Sequence, residues 1–438
     1  MRALRFAMLT TFYPPHSFGG DAIGVQRLSR ALVRRGHRVT VFHDVDAYNA
    51  LHRGIEPTDL GDEPIGLEVR RLRSGIGALS PLLTQQLGRP VVHGRRIRRV
   101  LADGEFDVIH FNNISLVGGP GVLGAGKAIK IYEAHEHWLV CPTHVLWRHG
   151  REACPERQCL RCVLRHRRPP QLWRYTGRLE RELKHVDAFI AKSEFSRSKH
   201  AEFGFGPEME VIPYFLPDPE VDANEEEAAG GSAASASRAD SSGHDDERER
   251  PYFLFVGRLE RIKGLDDVIP AIRRYGDADL LIAGDGGHRA ELERLADGDP
   301  SIRFLGRVAP ERLDRLYRDA LALIVPSICF ETFGIILIEA FRQGTPVLAR
   351  RIGPFPEIVE AAGGGELFED ADELLAAMRR LQVDPAHRDA LARSGLEAFR
   401  ARWSERAVVP RYLDLVRRLA ERRGDLQVAE SARIQPAA

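Results

Sequence analysis

The residues with the clearest chemical potential lie in the segment 327–344, where an apolar run gives way to a helical pattern. Gly334 lets a ligand approach the backbone there, and the amides of Gly334, Ile335 and Ile336 open the predicted helix. Amides without partners and the helix dipole both favour an anion at such a position. The segment therefore predicts a binding site for an anionic group.

Two carboxylates flank this predicted anion site. Glu331 lies in the loop before the helix, and Glu339 lies one or two turns inside it. A carboxylate has two acceptor oxygens, which suit the paired hydroxyls of a sugar or a ribose. An anion site between two such carboxylates is what a nucleotide-sugar requires, although two glutamates at this spacing can also form a solvated helix face.

Arg258 and Lys263 follow another apolar run, 252–256, in a loop that contains Gly257. Two cations at the end of a sheet strand can neutralise a diphosphate as its sugar departs, so that step needs no metal ion. The alternative is that both are solvated loop charges. The segment 277–279 has an Asp-x-Asp spacing but leads straight into an apolar strand, and we interpret it as a turn.

As a set, these motifs resemble the retaining glycosyltransferases of family 4, within the GT-B superfamily. Glu331 and Glu339 match the family's signature of two glutamates separated by seven residues. Further segments similar to family motifs are 255–265, 281–286, 304–306 and 344–347. The resemblance covers nearly all of 251–425 and is looser over 1–216.

The resemblance implies roles for the matching residues of the C-terminal half. Arg258 and Lys263 would bind the phosphates, Glu339 the ribose, and Glu331 with the amides after it the donor sugar. The base would be held by backbone contacts of the loop that contains Arg307 and Val308.

In the N-terminal half, the resemblance involves three residues. Gly19 and Gly20 would bring backbone to the diphosphate, and His135 matches the position where relatives place a histidine facing the donor sugar. The alternatives are a turn without ligand contact for the glycines and a packed polar residue for His135.

The resemblance also implies a mechanism and a function. The leaving phosphate would deprotonate the acceptor on the same face, so the anomeric configuration is retained and catalysis needs no cofactor. The implied reaction moves a hexose-type sugar from a UDP- or GDP-sugar to a hydroxyl of a glycan, a polysaccharide precursor or a lipid-linked intermediate. Two alternatives are a same-fold nucleotide-sugar epimerase or hydrolase and a non-catalytic nucleotide-sugar-binding partner subunit.

Four of the five cysteines, Cys141, Cys154, Cys159 and Cys162, lie close together in the sequence. In a cytoplasmic protein, a cluster ending in Cys-x-x-Cys favours a tetrahedral metal site over disulfides. The other spacings are not those of a standard zinc finger. Two alternatives therefore stay open, a structural zinc ion that shapes the acceptor side or four reduced cysteines without a metal.

The surroundings of these cysteines are basic and aromatic. Residues 151–200 hold 13 basic against 6 acidic residues, with tryptophans at 138, 147 and 173. Such a surface suits lipid headgroups, a polyphosphate-linked acceptor or an anionic polysaccharide, and the alternative is a solvated charged helix. We expect a cytoplasmic protein that associates peripherally with the inner face of the cell membrane.

The elements that position these residues follow from hydrophobic periodicity. In the N-terminal half, strands are predicted at 4–10, 38–43, 108–111, 129–133, 188–191 and 209–212, and a helix runs through 25–32. In the C-terminal half, strands are predicted at 252–256, 279–283, 302–305, 321–325 and 346–349, and helices at 265–275, 288–297, 309–320 and 334–343. This alternation predicts an α/β protein of GT-B type, with two doubly wound Rossmann-like domains facing across a cleft.

Composition sets the domain boundaries. Charge is +10 over 1–216, −8 over 217–250 and −2 over 251–438, and the overall balance of 63 basic against 63 acidic residues excludes a uniformly basic nucleic-acid binder. We predict an acceptor-side domain at 1–216 with a Cys-rich basic segment at 138–170, a disordered acidic linker at 217–250 and a donor-binding domain at 251–402. A helix at 403–425 returns to the first domain, and 426–438 is a flexible tail.

Overall fold

The computed structural model of the chain describes residues 2–52, 63–218 and 250–433. These residues form two compact units. Unit 1 comprises the chain up to Tyr214, the tripeptide Glu331–Phe333 and the residues from Val408 onward, and unit 2 comprises Phe215–Phe330 and Gly334–Ala407. The predicted linker at 217–250 lies almost wholly outside the described residues.

Fifteen strands are found among the described residues. In chain order they are β1 (Arg5–Leu9), β2 (Arg38–Asp44), β3 (Leu67–Leu72), β4 (Val108–Phe111), β5 (Ile129–Ala134), β6 (Trp147–Arg148), β7 (Glu152–Ala153), β8 (Ala188–Ala191), β9 (Met209–Val211), β10 (Tyr252–Val256), β11 (Asp279–Ala283), β12 (Ile302–Gly306), β13 (Leu323–Val325), β14 (Val347–Arg350) and β15 (Gly365–Phe368).

The α-helices of unit 1 that precede the linker are α1 (Gly20–Arg34), α2 (Val45–Leu51), α3 (Leu79–Leu87), α4 (Gly94–Asp103), α5 (Cys159–Arg165), α6 (Arg178–Leu183) and α7 (Glu194–Glu202). Those after it are α8 (Leu265–Tyr275), α9 (Arg289–Ala296), α10 (Pro310–Asp319), α11 (Ile335–Arg342), α12 (Phe355–Ala362), α13 (Ala371–Val383), α14 (Pro385–Arg402), α15 (Glu405–Arg423) and α16 (Leu426–Ser431).

Unit 1 is built on a seven-stranded sheet in the order β3-β2-β1-β4-β5-β8-β9, in which every neighbouring pair is parallel. The order reverses between β1 and β4, and the loops that leave such a reversal form the usual ligand crevice of doubly wound sheets. Here those loops are bonded to each other, because the amide of Asn112 donates to the carbonyl of Leu9 (2.9 Å).

Unit 2 has a six-stranded parallel sheet in the order β12-β11-β10-β13-β14-β15, with its reversal between β10 and β13. Its core packs the apolar side of α8 against the sheet, where Phe253, Val268, Ile269 and Ile272 are fully buried. Each such side chain contributes roughly 1.5–3 kcal/mol of hydrophobic stabilisation. The loops after β10 and β13, which carry the predicted donor site, are therefore fixed to a rigid sheet.

The predicted doubly wound α/β architecture is confirmed, and three regions differ from expectation. Periodicity assigns no element to residues 50–105, and the described part of that range contains β3, α3 and α4; the short strand β15 follows the last predicted strand. The expected flexible tail is wrong for Leu426–Ser431, which form α16. That helix is held because Val428 and Ala429 are buried and Asp425 caps it by accepting the amide of Val428 (3.0 Å).

Helices in the described parts of the chain are all too short or too polar to span a bilayer.

Candidate functional site

The glycines of unit 2 allow its loops to pack closely at the reversal of the sheet. Gly264 has φ +75°, and a Cβ there would collide with the carbonyl oxygen of Pro326 in the loop after β13. The amide of Ile328 donates to the carbonyl of Ile262 (2.9 Å), which ties the same two loops together. The segment that carries Lys263 therefore lies directly beside the loop that leads to α11.

Arg258 and Lys263 occupy this loop as predicted. Arg258 is more than half exposed, and its Nη1 donates to Glu260 (2.8 Å) at the surface. Lys263 ends a short 3₁₀ turn and is half-buried. Both cations belong to the loop after β10, on one side of the strand-order reversal.

The amino end of α11 lies on the other side of that reversal. Gly334 adopts φ +109°, no side chain caps the helix, and within the described residues the amides of Gly334, Ile335 and Ile336 have no hydrogen-bond acceptor. A Cβ at residue 334 would meet the ring of Phe355 at 2.8 Å, so glycine is required both by conformation and by space. These amides are available to an anion.

Glu339 is oriented by a residue that the sequence analysis does not single out. The hydroxyl of Tyr317 on α10 donates to Glu339 Oε2 (3.2 Å), and Tyr317 itself is almost completely buried. The hydroxyl of Thr345 in turn donates to the carbonyl of Tyr317 (2.6 Å). The carboxylate that would grip a ribose is therefore supported by a fixed chain of hydrogen bonds.

Gly257, Arg307 and Val308 lie at the neighbouring strand ends. Gly257 has φ +155°, and a Cβ added at Gly284 would collide with its carbonyl oxygen. The amide of Gly284 donates to the carbonyl of Gly306 (2.7 Å), so the ends of β10, β11 and β12 are close in space. Arg307 is exposed and Val308 half-buried directly after β12.

Glu331 lies in the tripeptide that packs with unit 1. Its neighbour Thr332 is held by two hydrogen bonds there: Ser193 Oγ donates to the Thr332 carbonyl (2.7 Å), and Thr332 Oγ1 donates to the His135 carbonyl (2.9 Å). The ring of Phe333 packs edge-on against Tyr214. The segment that carries Glu331 is therefore anchored by residues at the ends of β5 and β8.

His135 lies inside a buried polar network of unit 1. Its Nδ1 lies 2.5 Å from the Tyr214 hydroxyl, and its Nε2 lies 2.9 Å from Asn112 Oδ1 and 3.5 Å from Glu133 Oε1. Because Nε2 faces two acceptor oxygens, it carries the proton, and Nδ1 accepts from Tyr214. Both ring nitrogens are thus occupied by protein groups.

Glu133 is the charged centre of this network. It pairs with Lys192, and His110 Nε2 lies 3.1 Å from its other carboxylate oxygen. Burial opposes its ionisation, but Lys192, His135 and His110 together hold the pKa of Glu133 well below its usual value. Burial lowers the pKa of His135 to about 4, although the negative charge of Glu133 acts in the opposite direction. The imidazole is therefore neutral at physiological pH.

Gly19 and Gly20 lie at the amino end of α1, beside the strand-order reversal of unit 1. Gly19 is the extended residue before the helix, Gly20 is its first residue, and both are exposed. No side chain caps α1, and Asp21 on its first turn accepts from Asn113 (3.4 Å). The predicted glycines are therefore positioned at a helix terminus rather than in a free loop.

The four clustered cysteines come together around one small cavity, with room for about one water molecule or ion (about 20 Å³). All four are unbridged, and burial raises the pKa of the Cys154, Cys159 and Cys162 thiols. The cysteine sulfurs, all within the described residues, do not include three that lie within 4.8 Å of one another. The structure thus places the four thiols together without fixing a tetrahedron.

A second polar cluster in unit 1 consists of Asp44, Asp46 and His93, whose ligand atoms lie within 4.8 Å of one another and are buried. Asp46 accepts from both the amide and the hydroxyl of Ser74 (2.8 and 2.6 Å), and Asp44 caps α2 through the amide of Ala47 (3.1 Å). Burial raises the pKa of Asp44 to about 7. Sequence reasoning misses this cluster because its members are up to 49 residues apart.

Two protein-family models match this chain. A family model described as Glycosyltransferase Family 4 matches residues 18–216, and one described as Glycosyl transferases group 1 matches residues 238–397. Together the two models cover most of the chain and both of its units.

Curated relatives agree with these models. A protein in the cps region of Klebsiella pneumoniae is 21% identical over 88% of this chain and 95% of its own length. An uncharacterised glycosyltransferase of Methanocaldococcus jannaschii is 26% identical over 82% of this chain and 83% of its own length. Over a shorter stretch, 35% of this chain and 38% of the relative, the D-inositol 3-phosphate glycosyltransferase of Corynebacterium kroppenstedtii is 32% identical.

Solved structures share the fold over nearly all of the chain. Sucrose-phosphate synthase from Thermosynechococcus elongatus superposes with a TM-score of 0.69 at 21% identity, covering 96% of this chain and all of that one. The Anabaena protein HepE in complex with UDP gives 0.62 at 17% identity, covering 94% and 99%. The architecture is that of the GT-B glycosyltransferases, and with the two family models it shows that the chain belongs to glycosyltransferase family 4.

Proposed function

We propose that the protein transfers a hexose-type sugar from a UDP- or GDP-sugar to a hydroxyl group with retention of the anomeric configuration. The acceptor is a glycan, a polysaccharide precursor or a lipid-linked intermediate, used at the cytoplasmic face of the cell membrane. The observation that carries the proposal is the uncapped amino end of α11, whose amides have no acceptor within the described residues and whose preceding loop packs against the loop of Arg258 and Lys263.

In this proposal the donor's diphosphate binds to the amides of Gly334, Ile335 and Ile336. Arg258 and Lys263 supply positive charge as the bond between the sugar and the phosphate breaks, which replaces a metal ion in that role. The preorganised amides need no reorientation as charge develops on the leaving phosphate, so their stabilisation is fully available in the transition state.

The rest of the donor would be held by the neighbouring strand ends. Glu339, oriented by Tyr317, accepts from the ribose hydroxyls, and Glu331 accepts from the hydroxyls of the transferred sugar. The loop of Arg307 and Val308 binds the base through its backbone. The bound UDP in the HepE structure supports a nucleoside diphosphate ligand for this fold.

The acceptor oxygen attacks the anomeric carbon on the face from which the diphosphate leaves, and the departing phosphate takes the acceptor's proton. A neutral His135 with both ring nitrogens engaged is consistent with a reaction that has no separate general base. We assign His135 a positioning role through its carbonyl, which holds Thr332 beside Glu331. T332V should then lower kcat and leave the donor Kd unchanged.

The direct test measures transfer and donor binding for E331Q, E339Q and R258A. Matched controls on the exposed side of α10 are E311Q and R312A. We expect E331Q and R258A to lose transfer by on the order of a hundredfold or more, E339Q to raise the donor KM about tenfold or more, and the controls to behave as the parent. Unchanged turnover in E331Q would refute the assignment.

Product analysis separates the remaining possibilities. Proton NMR of the product should show the anomeric configuration of the donor, and the rate should be insensitive to EDTA. Free sugar or an epimerised donor formed without acceptor would instead indicate a hydrolase or an epimerase. Donor binding without turnover across many acceptors would indicate a non-catalytic partner subunit.

A further inference from the structure

Helix α3 is oriented opposite to an ordinary surface helix. Its polar residues Ser80 and Thr84 are buried, whereas Leu79, Leu82, Leu83 and Leu87 are 57%, 42%, 37% and 43% exposed. A leucine side chain left in water contributes none of the hydrophobic stabilisation that burial would give, and this nine-residue helix leaves four leucines exposed. Such a face is a contact surface for something other than water.

A second element extends the apolar surface. The 3₁₀ turn Leu172–Tyr175 packs on α3, because Trp173 Nε1 donates to the carbonyl of Gln85 (2.8 Å). Leu172 and Tyr175 themselves are 67% and 62% exposed. Together with the four leucines of α3, they form what we call the apolar face.

Positive charge accompanies the apolar face. From residue 74 to residue 102 the chain has five arginines and no acidic residue. Four of these, Arg95, Arg96, Arg98 and Arg99, are exposed on α4, and no ion pair is found for them within the described residues. Arg178 donates to the carbonyl of Leu87 (3.0 Å) at the end of α3. Exposed apolar groups on one helix, followed in the chain by a helix whose arginines have no ion pair among the described residues, match a bilayer with an apolar interior and anionic headgroups.

An open groove continues from this face. It has a volume of about 680 Å³ and is lined by Tyr175 together with Leu160, Leu179 and the basic residues Arg157 and Arg161. Apolar walls with cationic side chains suit an amphiphile that carries an anionic head. A bilayer lying against the apolar face would deliver such a molecule to the groove without its passage through water.

We propose that the apolar face and the arginines of α4 dock unit 1 onto an anionic lipid bilayer. This names the surface responsible for the peripheral location included in the proposed function, but it stands on the exposed leucines and arginines alone. The leucines insert below the headgroups, and the guanidinium groups bind lipid phosphates. A second copy of the chain covering the same face is the competing outcome, and the experiment separates the two.

The experiment is flotation of the full chain with vesicles of phosphatidylcholine alone and of phosphatidylcholine with one quarter phosphatidylglycerol. Variants are L82S/L87S and R95A/R99A, and the matched controls are V383S/L426S and R312A/R315A, which change exposed residues of the same kinds elsewhere. We expect binding to the anionic vesicles only, weakened at least tenfold in both test variants and unchanged in the controls. High salt should weaken vesicle binding of the parent. It should weaken the residual binding of R95A/R99A by a smaller factor, because fewer charges are left to be screened.

Two results would overturn the proposal. One is equal binding, or none, across the two vesicle types and all variants. The other is a parent that is dimeric by light scattering and becomes monomeric in L82S/L87S, which would assign the face to a second copy. Thermal denaturation of each variant checks folding, and donor turnover in solution distinguishes a failure of docking from a failure of the proposed transfer reaction.

Independently, the four cysteines around the small cavity carry a second proposal: that Cys141, Cys154, Cys159 and Cys162 bind one zinc ion. The only regular structure between the 3₁₀ turn His137–Leu139 and α5 is a hairpin whose two strands have two residues each, so turns rather than a sheet or a helix set the shape of this segment. The amide of His149 points at Cys162 Sγ (3.3 Å), an arrangement that also stabilises a metal-bound thiolate.

Zinc binding would draw the sulfurs to about 3.8 Å from one another, the edge of a tetrahedron with Zn–S bonds of about 2.3 Å. The zinc would hold the segment in shape, and no step of the transfer reaction involves it. Each thiol would release its proton when it binds the metal.

Metal analysis by mass spectrometry of protein purified without chelator tests this site. We expect one zinc per chain in the parent and in C329S, the fifth cysteine, and less than a tenth of that in C159S/C162S. Cobalt titrated into the metal-free parent should give the absorption of tetrahedral thiolate. Substoichiometric metal, equal zinc in C159S/C162S, or iron in place of zinc would each overturn the proposal.

Discussion

The buried ion pair of Glu133 and Lys192 makes the most quantitative prediction about unit 1. The two side chains are only 6% and 5% exposed, and the pair lies at the centre of the network that holds His135. Replacing Lys192 by methionine keeps the volume of the side chain but leaves a buried carboxylate without its counter-charge. Removing one partner of such a pair costs about 3–5 kcal/mol.

The stability of K192M should depend on pH in the opposite direction to that of the parent. In the parent, the folded pKa of Glu133 lies below its unfolded value of 4.5, so its contribution is present above that pH and disappears as the pH falls through the folded pKa. In K192M, burial should raise the folded pKa above the unfolded value. Its stability should then fall as the pH rises from 5 to 8.

The assay is hydrogen–deuterium exchange of peptides that cover β5 and β8, because two units need not unfold together and a single midpoint would mix them. The control is K199M, which removes the pair with the half-exposed Glu202 and the contacts of the Lys199 ammonium with the rings of Phe195 and Phe203, and it should cost about 1 kcal/mol or less. The double variant E133Q/K192M should recover part of the loss. Protection in K192M within about 1 kcal/mol of the parent at both pH values would refute the reasoning.

Three further predictions concern single positions. Y317F should raise the donor KM about five- to tenfold with little change in kcat, because Glu339 loses one oriented hydrogen bond; unchanged steady-state kinetics would contradict this. D44N should stabilise unit 1 at pH 8 by up to about 4 kcal/mol and hardly at pH 4. The reason is that the folded pKa of Asp44, about 7, exceeds the unfolded value of 3.8, so the parent loses stability as the pH rises between them; hydrogen–deuterium exchange of peptides that cover β2 and α2 at both pH values measures it. G334A should weaken donor binding at least tenfold in thermal-shift titrations with UDP and GDP, because the φ of +109° at residue 334 and the nearby Phe355 ring exclude a Cβ. A ligand-induced thermal shift equal to that of the parent would show that the turn adapts to alanine.

Most of the sheet elements could be predicted from the sequence because strands buried on both faces are continuous apolar runs. The runs 252–256 and 279–283 coincide with β10 and β11, and the helix at 265–275 coincides with α8. The donor loops could be located for the same reason, since each follows such a run. Short elements are harder: β15 has four residues with a glycine at its start, and α16 has six.

Other features could not be read from the sequence, for definite physical reasons. Helix α3 has its leucines toward solvent, so a search for buried periodicity finds no core side there. Tyr317 reaches Glu339 from a different helix, and only tertiary packing brings the two together. Glu133 offered one usable signal: a charged residue in a strand of an all-parallel sheet requires a buried partner, although the sequence does not say that the partner is Lys192.

The return of the chain to unit 1 has a consequence for the order in which this protein can be completed during synthesis. Tyr412 stacks on His110 and bonds to it, Arg418 pairs with Glu210, and Arg423 pairs with Asp187, so the first sheet is closed by α15, a helix that is translated after unit 2. The ribosome makes all of unit 2 before it releases α15. Until then the earlier part of unit 1 has an exposed hydrophobic flank, which makes it a substrate for chaperones, and a fragment ending at residue 216 would keep that flank permanently.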